Sequence, residues 1–264
     1  MQFNREGTVL AAEVRDGEGP PLVLLPGVMA DAAGWRPVVE HIDLPNPVVV
    51  LNRRGRVPSG PLGPGYSVRT EVDDLRHVLD VLGEDVHLFG WSYGALIALE
   101  AAAGRTDLRS LILYEPVAHP FAPEAVGPLR EAVDQGDLDR AVEVVNLLVS
   151  GFTPGYVAEL RASPAWDVLR PLAGPSAAEL AAINDHRPAM DAYAALDVPV
   201  TLLLGEDNEG KAPYGTAFAQ FSKAMPQARI VRIAGQGHLA HAQAPRSLAH
   251  HIRDALEREM SAPS

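Results

Sequence analysis

Two short segments, Gly90-Trp91-Ser92-Tyr93-Gly94 and Gly235-Gln236-Gly237-His238, carry the residue types from which a nucleophile and its base can be made. A serine hydroxyl is unreactive at neutral pH and needs a base within hydrogen-bond reach. Asp85 to Gly90 reads as a buried strand and Ala95 to Ala103 as a run of strong helix formers, so Ser92 sits on a tight strand-to-helix turn. At such a turn, small residues at Gly90 and Gly94 relieve backbone crowding and leave the hydroxyl exposed above the sheet. The amino end of the following helix also offers N–H groups where an oxyanion would develop. Taken alone, Gly-x-Ser-x-Gly equally describes a glycine-lined turn without function; the strand before it and the helix after it make it a nucleophile signal.

Of the nine histidines, His238 lies on a glycine-rich loop just past the last expected strand, Ala228 to Ile233, where an imidazole can swing over the sheet edge. His77 and His250 fall on helix surfaces and His87 within a strand. His241 lies near the site, at a spacing from His238 that does not argue for metal binding. The imidazole needs a carboxylate to hold its tautomer and stabilise the imidazolium. Glu115 directly follows the strand Arg109 to Tyr114 and precedes Pro116, a place with no evident packing reason for a charge. Asp207, in Leu204-Gly205-Glu206-Asp207-Asn208, is the alternative acid. The plainer readings are a pocket-lining residue for Glu115 and a loop-capping carboxylate for Asp207.

The elements that must position these groups alternate. Pro21 to Pro26, Pro47 to Asn52, Asp85 to Gly90 and Arg109 to Tyr114 are short Val-, Ile- and Leu-rich runs suited to strands covered on both faces. Val72, Leu75, Val78, Leu79 and Leu82 mark an amphipathic helix between two of them. That alternation implies right-handed crossovers and a mostly parallel sheet flanked by helices, an α/β fold, with a hairpin near Phe3 and Thr8 to Val14 at one edge. From His119 to Asp191 the pattern turns helical, with stretches at Asp137 to Val149 and Pro175 to Asp185. The steps Thr153-Pro154, Ser163-Pro164 and Gly174-Pro175 there look like helix starts. Strands resume at Val198 to Leu204, and Ser247 to Met260 closes as a helix. The expected organisation is a core of residues 1–118 and 192–264, with a helical lid, residues 119–191, inserted after the sixth strand. The lid would cover the carboxyl ends of the strands, where such sheets bind ligands.

The elbow, the late histidine, the strand order and the helical insert together resemble the α/β-hydrolase superfamily, in its lidded esterase and haloperoxidase-like branch. The resemblance runs from about residue 8 to 259 and is specific for fold and weak for substrate. It implies that the loop after the third strand contributes to an oxyanion hole, with the backbone N–H groups of Val28 and Tyr93 as donors. The family's His-Gly in that loop is Pro26-Gly27 here, and its Asp-x-Arg-Gly is represented by Asn52-Arg53-Arg54-Gly55-Arg56. The resemblance also implies an acid three residues past the glycine of the seventh strand, and that slot holds Asn208. Some members instead carry the acid at the end of the sixth strand, at a spacing from the nucleophile similar to that of Glu115.

The 264 residues suit one large α/β domain, and 47% hydrophobic with 21% charged residues is an ordinary globular composition. The absence of cysteine excludes disulfides, thiolate metal sites and a cysteine nucleophile. A net charge of -12, with only Lys211 and Lys223 as lysines, argues against nucleic acid or an anionic membrane as partner. The first residues lack the apolar core of a secretory signal, so a cytoplasmic location is expected. The oligomeric state stays open. The leading expectation is acyl transfer to water from an ester, thioester, lactone or activated amide, needing no metal or organic cofactor. The substrate would be a small molecule with an apolar acyl part, with Trp35, Phe152, Tyr156 and Trp166 as candidate pocket aromatics. Two other readings use the same fold: perhydrolysis, carbon–carbon cleavage or cyclisation by the same residues, and a ligand-binding protein that has lost turnover.

Overall fold

Eight strands form one sheet in the computed structural model, which describes residues 1–5 and 7–261. Residues 6 and 262–264 of the expected core lie outside the described residues. The strands are Gln2–Arg5 (β1), Thr8–Arg15 (β2), Leu22–Leu25 (β3), Val48–Asn52 (β4), Val86–Trp91 (β5), Leu108–Tyr114 (β6), Val200–Gly205 (β7) and Arg229–Ile233 (β8). Their order across the sheet is β1-β2-β4-β3-β5-β6-β7-β8. β1 and β2 pair antiparallel at one edge, as the hairpin pattern suggested, and β2 also runs antiparallel to β4. From β4 to β8 every pairing is parallel.

The uninterrupted apolar runs follow from burial on both faces. Val23 and Leu25 of β3 point into one hydrophobic cluster, shared with the helices Val68–Leu82 and Tyr93–Ala102. Leu22 and Leu24 point into the other, shared with Trp35 and the helix Pro245–Ser261. Side chains alternate across a strand, so a strand covered on both sides holds apolar residues at nearly every position. The helix Val68–Leu82 begins at a capping box, in which Ser67 and Thr70 satisfy each other's backbone N–H. That explains why it starts a turn before the periodic apolar residues do.

The chain between β6 and β7 is helical: Val126–Asp134, Leu138–Val144 continued by the π-helical turn Val145–Val149, Pro154–Arg161, Ala165–Ala173 and Ser176–Asp185. Pro154 is a first-turn proline behind the Thr153 cap, as the Thr-Pro step suggested. Among the described residues no helix is long and apolar enough to cross a membrane.

β3 pairs with both β4 and β5, so the connections leaving β3 and β5 diverge at the centre of the sheet. Such a switch point opens a crevice at the carboxyl ends of the strands.

Candidate active site

Each candidate for the nucleophile, base, acid and oxyanion hole lies past a strand's carboxyl end. Val28 follows β3, Ser92 follows β5, Glu115 follows β6, Asp207 and Asn208 follow β7, and His238 follows β8.

Ser92 has φ 58° and ψ −119°, a conformation that costs a side-chain-bearing residue energy and is held by its surroundings. Its N–H donates to the Tyr114 carbonyl at 2.9 Å, extending the β5–β6 ladder through the turn. A Cβ at Gly94 would stand 2.2 Å from the Leu25 carbonyl oxygen, so only glycine lets the elbow approach β3 this closely. A Cβ at Gly27 would stand 2.8 Å from the Ser92 Cβ, which is why glycine survives in Pro26-Gly27-Val28 although histidine does not. Tyr93 opens the helix Tyr93–Ala102, so its N–H has no acceptor within that helix. Val28 is half-buried and borders the same cavity as Ser92.

His238 and Glu115 meet in the interior. The His238 Nδ1 lies 2.5 Å from the Glu115 Oε2, with His238 6% exposed and Glu115 fully buried. The other Glu115 oxygen accepts from the Gly205 N–H at 2.8 Å, and the Asn208 amide nitrogen lies 3.0 Å from both oxygens. Asp207 is exposed on the short helix Glu206–Asn208, where its N–H donates to the Gln236 carbonyl at 3.0 Å. Burial holds the His238 imidazole below the ordinary histidine range, and Glu115 opposes that shift without cancelling it. Ser92 and His238 border one cavity, and among the described residues no hydrogen bond joins the two side chains.

Aromatic residues clamp this histidine. The Tyr214 ring stacks on it at 3.5 Å between centroids and 13° between planes, and the Trp91 Nε1 donates to its carbonyl at 2.9 Å. The Tyr114 hydroxyl donates to the preceding carbonyl, that of Gly237. Sequence reasoning missed Tyr214, whose one signal is the apolar stripe it shares with Phe218 and Phe221 on the helix Tyr214–Ala224. His241 lies against Trp35, rings 5.0 Å apart and 9° from coplanar, and borders the cavity. Burial, with His238 as second cause, pushes its imidazole down to about 3.

The departures in the loop after β4 have structural uses. The Asn52 Oδ1 accepts from the Ala32 N–H at 2.8 Å, bracing the loop after β3. Arg53 is buried and donates to the carbonyls of Pro26 at 2.8 Å and Gly27 at 2.7 Å. Its guanidinium also lies 4.9 Å from the Tyr93 ring centroid. One cation therefore touches the backbone that leads to Val28 and the side chain of Tyr93, the two oxyanion-hole candidates. It pairs at 2.7 Å with Glu71 and at 2.7 Å with Glu179 of the helix Ser176–Asp185, and Glu179 also holds Arg56.

A cavity of about 370 Å³ lies between the carboxyl ends of the strands and the helical segment, a size usual for small-molecule sites. Trp35, Phe152 and Tyr156 line it. Trp166 does not: its indole N–H donates to Asp139 at 2.6 Å and Arg161 covers its ring, so the polar edge of the indole turns it toward neighbouring helices. Among the described residues no group of three or more His, Asp or Glu side chains could hold a metal ion.

A family model described as "Alpha/beta hydrolase family" matches residues 22–251. The chain is 26% identical over 249 residues to the (E)-2-((N-methylformamido)methylene)succinate hydrolase of Acinetobacter baylyi, covering 91% of this chain and 92% of that one. It is 28% identical over 252 residues to the polyketide synthase ThaQ of Burkholderia thailandensis, a match that takes in 90% of this chain and 12% of that protein's length. Among solved structures it is similar to an alpha/beta hydrolase from Sphaerobacter thermophilus, with a TM-score of 0.82, 26% identity and coverage of 97% of this chain and 100% of that one.

Proposed function

The chain belongs to the alpha/beta hydrolase family, and on that premise we propose a serine hydrolase that cleaves an ester, thioester, lactone or activated amide through an acyl-enzyme on Ser92. His238 takes the Ser92 proton as the hydroxyl attacks the substrate carbonyl and returns it to the leaving group. Glu115 holds the Nδ1–H and stabilises the imidazolium that forms. The N–H groups of Val28 and Tyr93 receive the developing oxyanion, and residues 119–191 act as a lid that excludes water from the apolar cavity. Water, activated by the same His238, then releases the acid. The name of the Acinetobacter relative puts hydrolysis among the reactions of similar chains, and hydrolysis is the reaction proposed here.

The observation that carries this reading is the buried 2.5 Å bond between His238 and Glu115 on the wall of the cavity that Ser92 borders. A buried ionisable pair on one side of a strained serine has the arrangement that acyl transfer requires and that packing alone does not. The test is labelling with a fluorophosphonate probe together with turnover of p-nitrophenyl acetate. The wild-type protein is expected to be labelled once and to turn over, and Ser92→Ala to lose both. Labelling that persists in Ser92→Ala overturns the nucleophile assignment. Tight ligand binding without turnover of any ester or thioester favours a binding protein.

A further inference from the structure

The cavity wall is unusual in what it lacks. Asp31 is its one charged side chain, and among the described residues no lysine or arginine lines it. The helical segment contributes Phe121, Leu129, Val149, Leu172, Leu180 and Ile183, an apolar surface facing the carboxyl ends of the strands. Four polar residues interrupt that surface: the Tyr156 phenol is one, and the other three are engaged within the protein. The Asn146 Nδ2 donates to the Val142 carbonyl at 2.8 Å, the Ser150 hydroxyl lies 3.1 Å from the Tyr214 hydroxyl, and the Ser176 hydroxyl donates to the Ala173 carbonyl. The Asp31 carboxylate, which accepts from the Gly34 N–H at 3.0 Å, adds negative charge on the strand side.

Resting on the serine-hydrolase reading above, we propose that the group bound under the helices is an uncharged aliphatic acyl chain and that a carboxylate on that chain is rejected. An anion carried into this wall sheds its hydration and meets no cation in return, while Asp31 repels it. An alkyl chain there loses only unfavourable contact with water, and each added methylene strengthens binding about fourfold while space lasts. A related cavity meant for carboxylated substrates would need at least one arginine or lysine on its wall.

The experiment compares p-nitrophenyl acetate, butanoate, hexanoate and octanoate with the mono-p-nitrophenyl esters of succinate, adipate and suberate. We expect kcat/KM to rise at least about tenfold from acetate to hexanoate. Adipate, which matches hexanoate in length, should fall about a hundredfold below it. Val168 borders the cavity and is 59% exposed, so Val168→Arg places a cation at the rim where it stays hydrated. This variant is expected to shrink the ratio of hexanoate to adipate kcat/KM several-fold, and an unchanged ratio counts against the proposal. Adipate within about threefold of hexanoate, or no gain from acetate to hexanoate, overturns the proposal while Ser92 labelling and acetate turnover keep the hydrolase reading intact. Binding to Ser92→Ala, followed by calorimetry, gives a readout that needs no turnover. Hexanoate ester is expected to bind and adipate ester not, and equal binding of both overturns the proposal even in a chain that proves inactive.

Discussion

The Asn208 amide nitrogen lies 3.0 Å from each carboxylate oxygen of Glu115. The position after β7 that would hold the acid in the commoner arrangement is thus occupied by a neutral donor to the carboxylate at the end of β6. An amide there can hold Glu115 in orientation without competing for the His238 proton, whereas a second carboxylate would share charge with it. Asn208→Leu removes these contacts and leaves Glu115 with the Gly205 N–H and His238. Losing donors to a buried carboxylate costs about 1–3 kcal/mol, so kcat/KM on an activated ester is expected to drop roughly ten- to a hundredfold. In Asn208→Asp, two adjacent carboxylates raise the proton affinity of their surroundings, and the ascending limb of the pH–rate profile should move up. A profile unmoved in Asn208→Asp, with full activity in Asn208→Leu, would show that the amide plays no positioning role.

Glu115 and Asp207 separate cleanly by substitution. Glu115 is buried against His238, and Asp207 stands exposed beside Asn208 on the short helix after β7. Replacing the orienting carboxylate of such a triad by its amide lowers kcat about 10⁴-fold, because the imidazole loses its tautomer and its stabilised cation. Glu115→Gln is expected to fall by several orders of magnitude on p-nitrophenyl acetate, and Asp207→Asn to stay within a few-fold of wild type. The reverse ranking would transfer the acid to Asp207.

The direction of the pH dependence follows from the base. In the proposed mechanism His238 must be neutral to accept the Ser92 proton, and burial lowers its proton affinity from the ordinary value of 6.5, with Glu115 opposing. The ascending limb of kcat/KM is therefore expected below pH 6.5, with activity level through neutrality. Glu115→Gln removes the opposing charge, so whatever activity remains should rise at lower pH still. A limb above the ordinary histidine range would mean that Glu115, and not burial, dominates the site.

Much of this geometry was legible in the chain because it rests on local rules. The strands were readable from apolar runs that alternate between two cores, as Leu22 to Leu25 do. The elbow was readable because the crowding at Gly90 comes from Gly94 and Ala95, within a few residues, although the demand at Gly94 comes from Leu25 on the neighbouring strand. Between β6 and β7 the stretches ending at Val149 and at Asp185 were visible, whereas Val126–Asp134 was not, and of Pro154–Arg161 and Ala165–Ala173 only the starts were, at the Thr153-Pro154 and Ser163-Pro164 steps. Those three helices are short and are stabilised by packing on neighbours more than by their own periodicity. Trp166 was expected in the pocket from its residue type, but its direction is set by Asp139 and Arg161, which no spacing rule connects to it. Tyr214 on His238, and Glu179 on Arg53, join residues far apart in sequence. Such pairs can be seen only once the fold brings the elements together.

Glu71 and Glu179 share the Arg53 guanidinium yet should respond to pH with opposite signs. Glu179 is buried, but Arg53 and Arg56 outweigh the desolvation and hold its carboxyl below the ordinary glutamate value of 4.5. Its contribution to stability is therefore present in full above pH 4.5 and is lost as pH falls through the lowered value. Burial dominates at Glu71, where Arg53 does not fully compensate, so its carboxyl is held above 4.5 and the charged form costs stability near neutrality. Glu179→Gln leaves Arg56 without its carboxylate and is expected to cost about 3–5 kcal/mol at pH 7, a loss that shrinks as pH drops below about 4.5. Glu71→Gln should cost less at pH 7, and wild type should gain on it as pH falls, because only the wild-type side chain relieves its strain by taking up a proton. Urea denaturation of the three proteins between pH 3.5 and 7.5 checks both slopes, and parallel slopes for the two variants would refute the assignment of different dominant forces to the two glutamates.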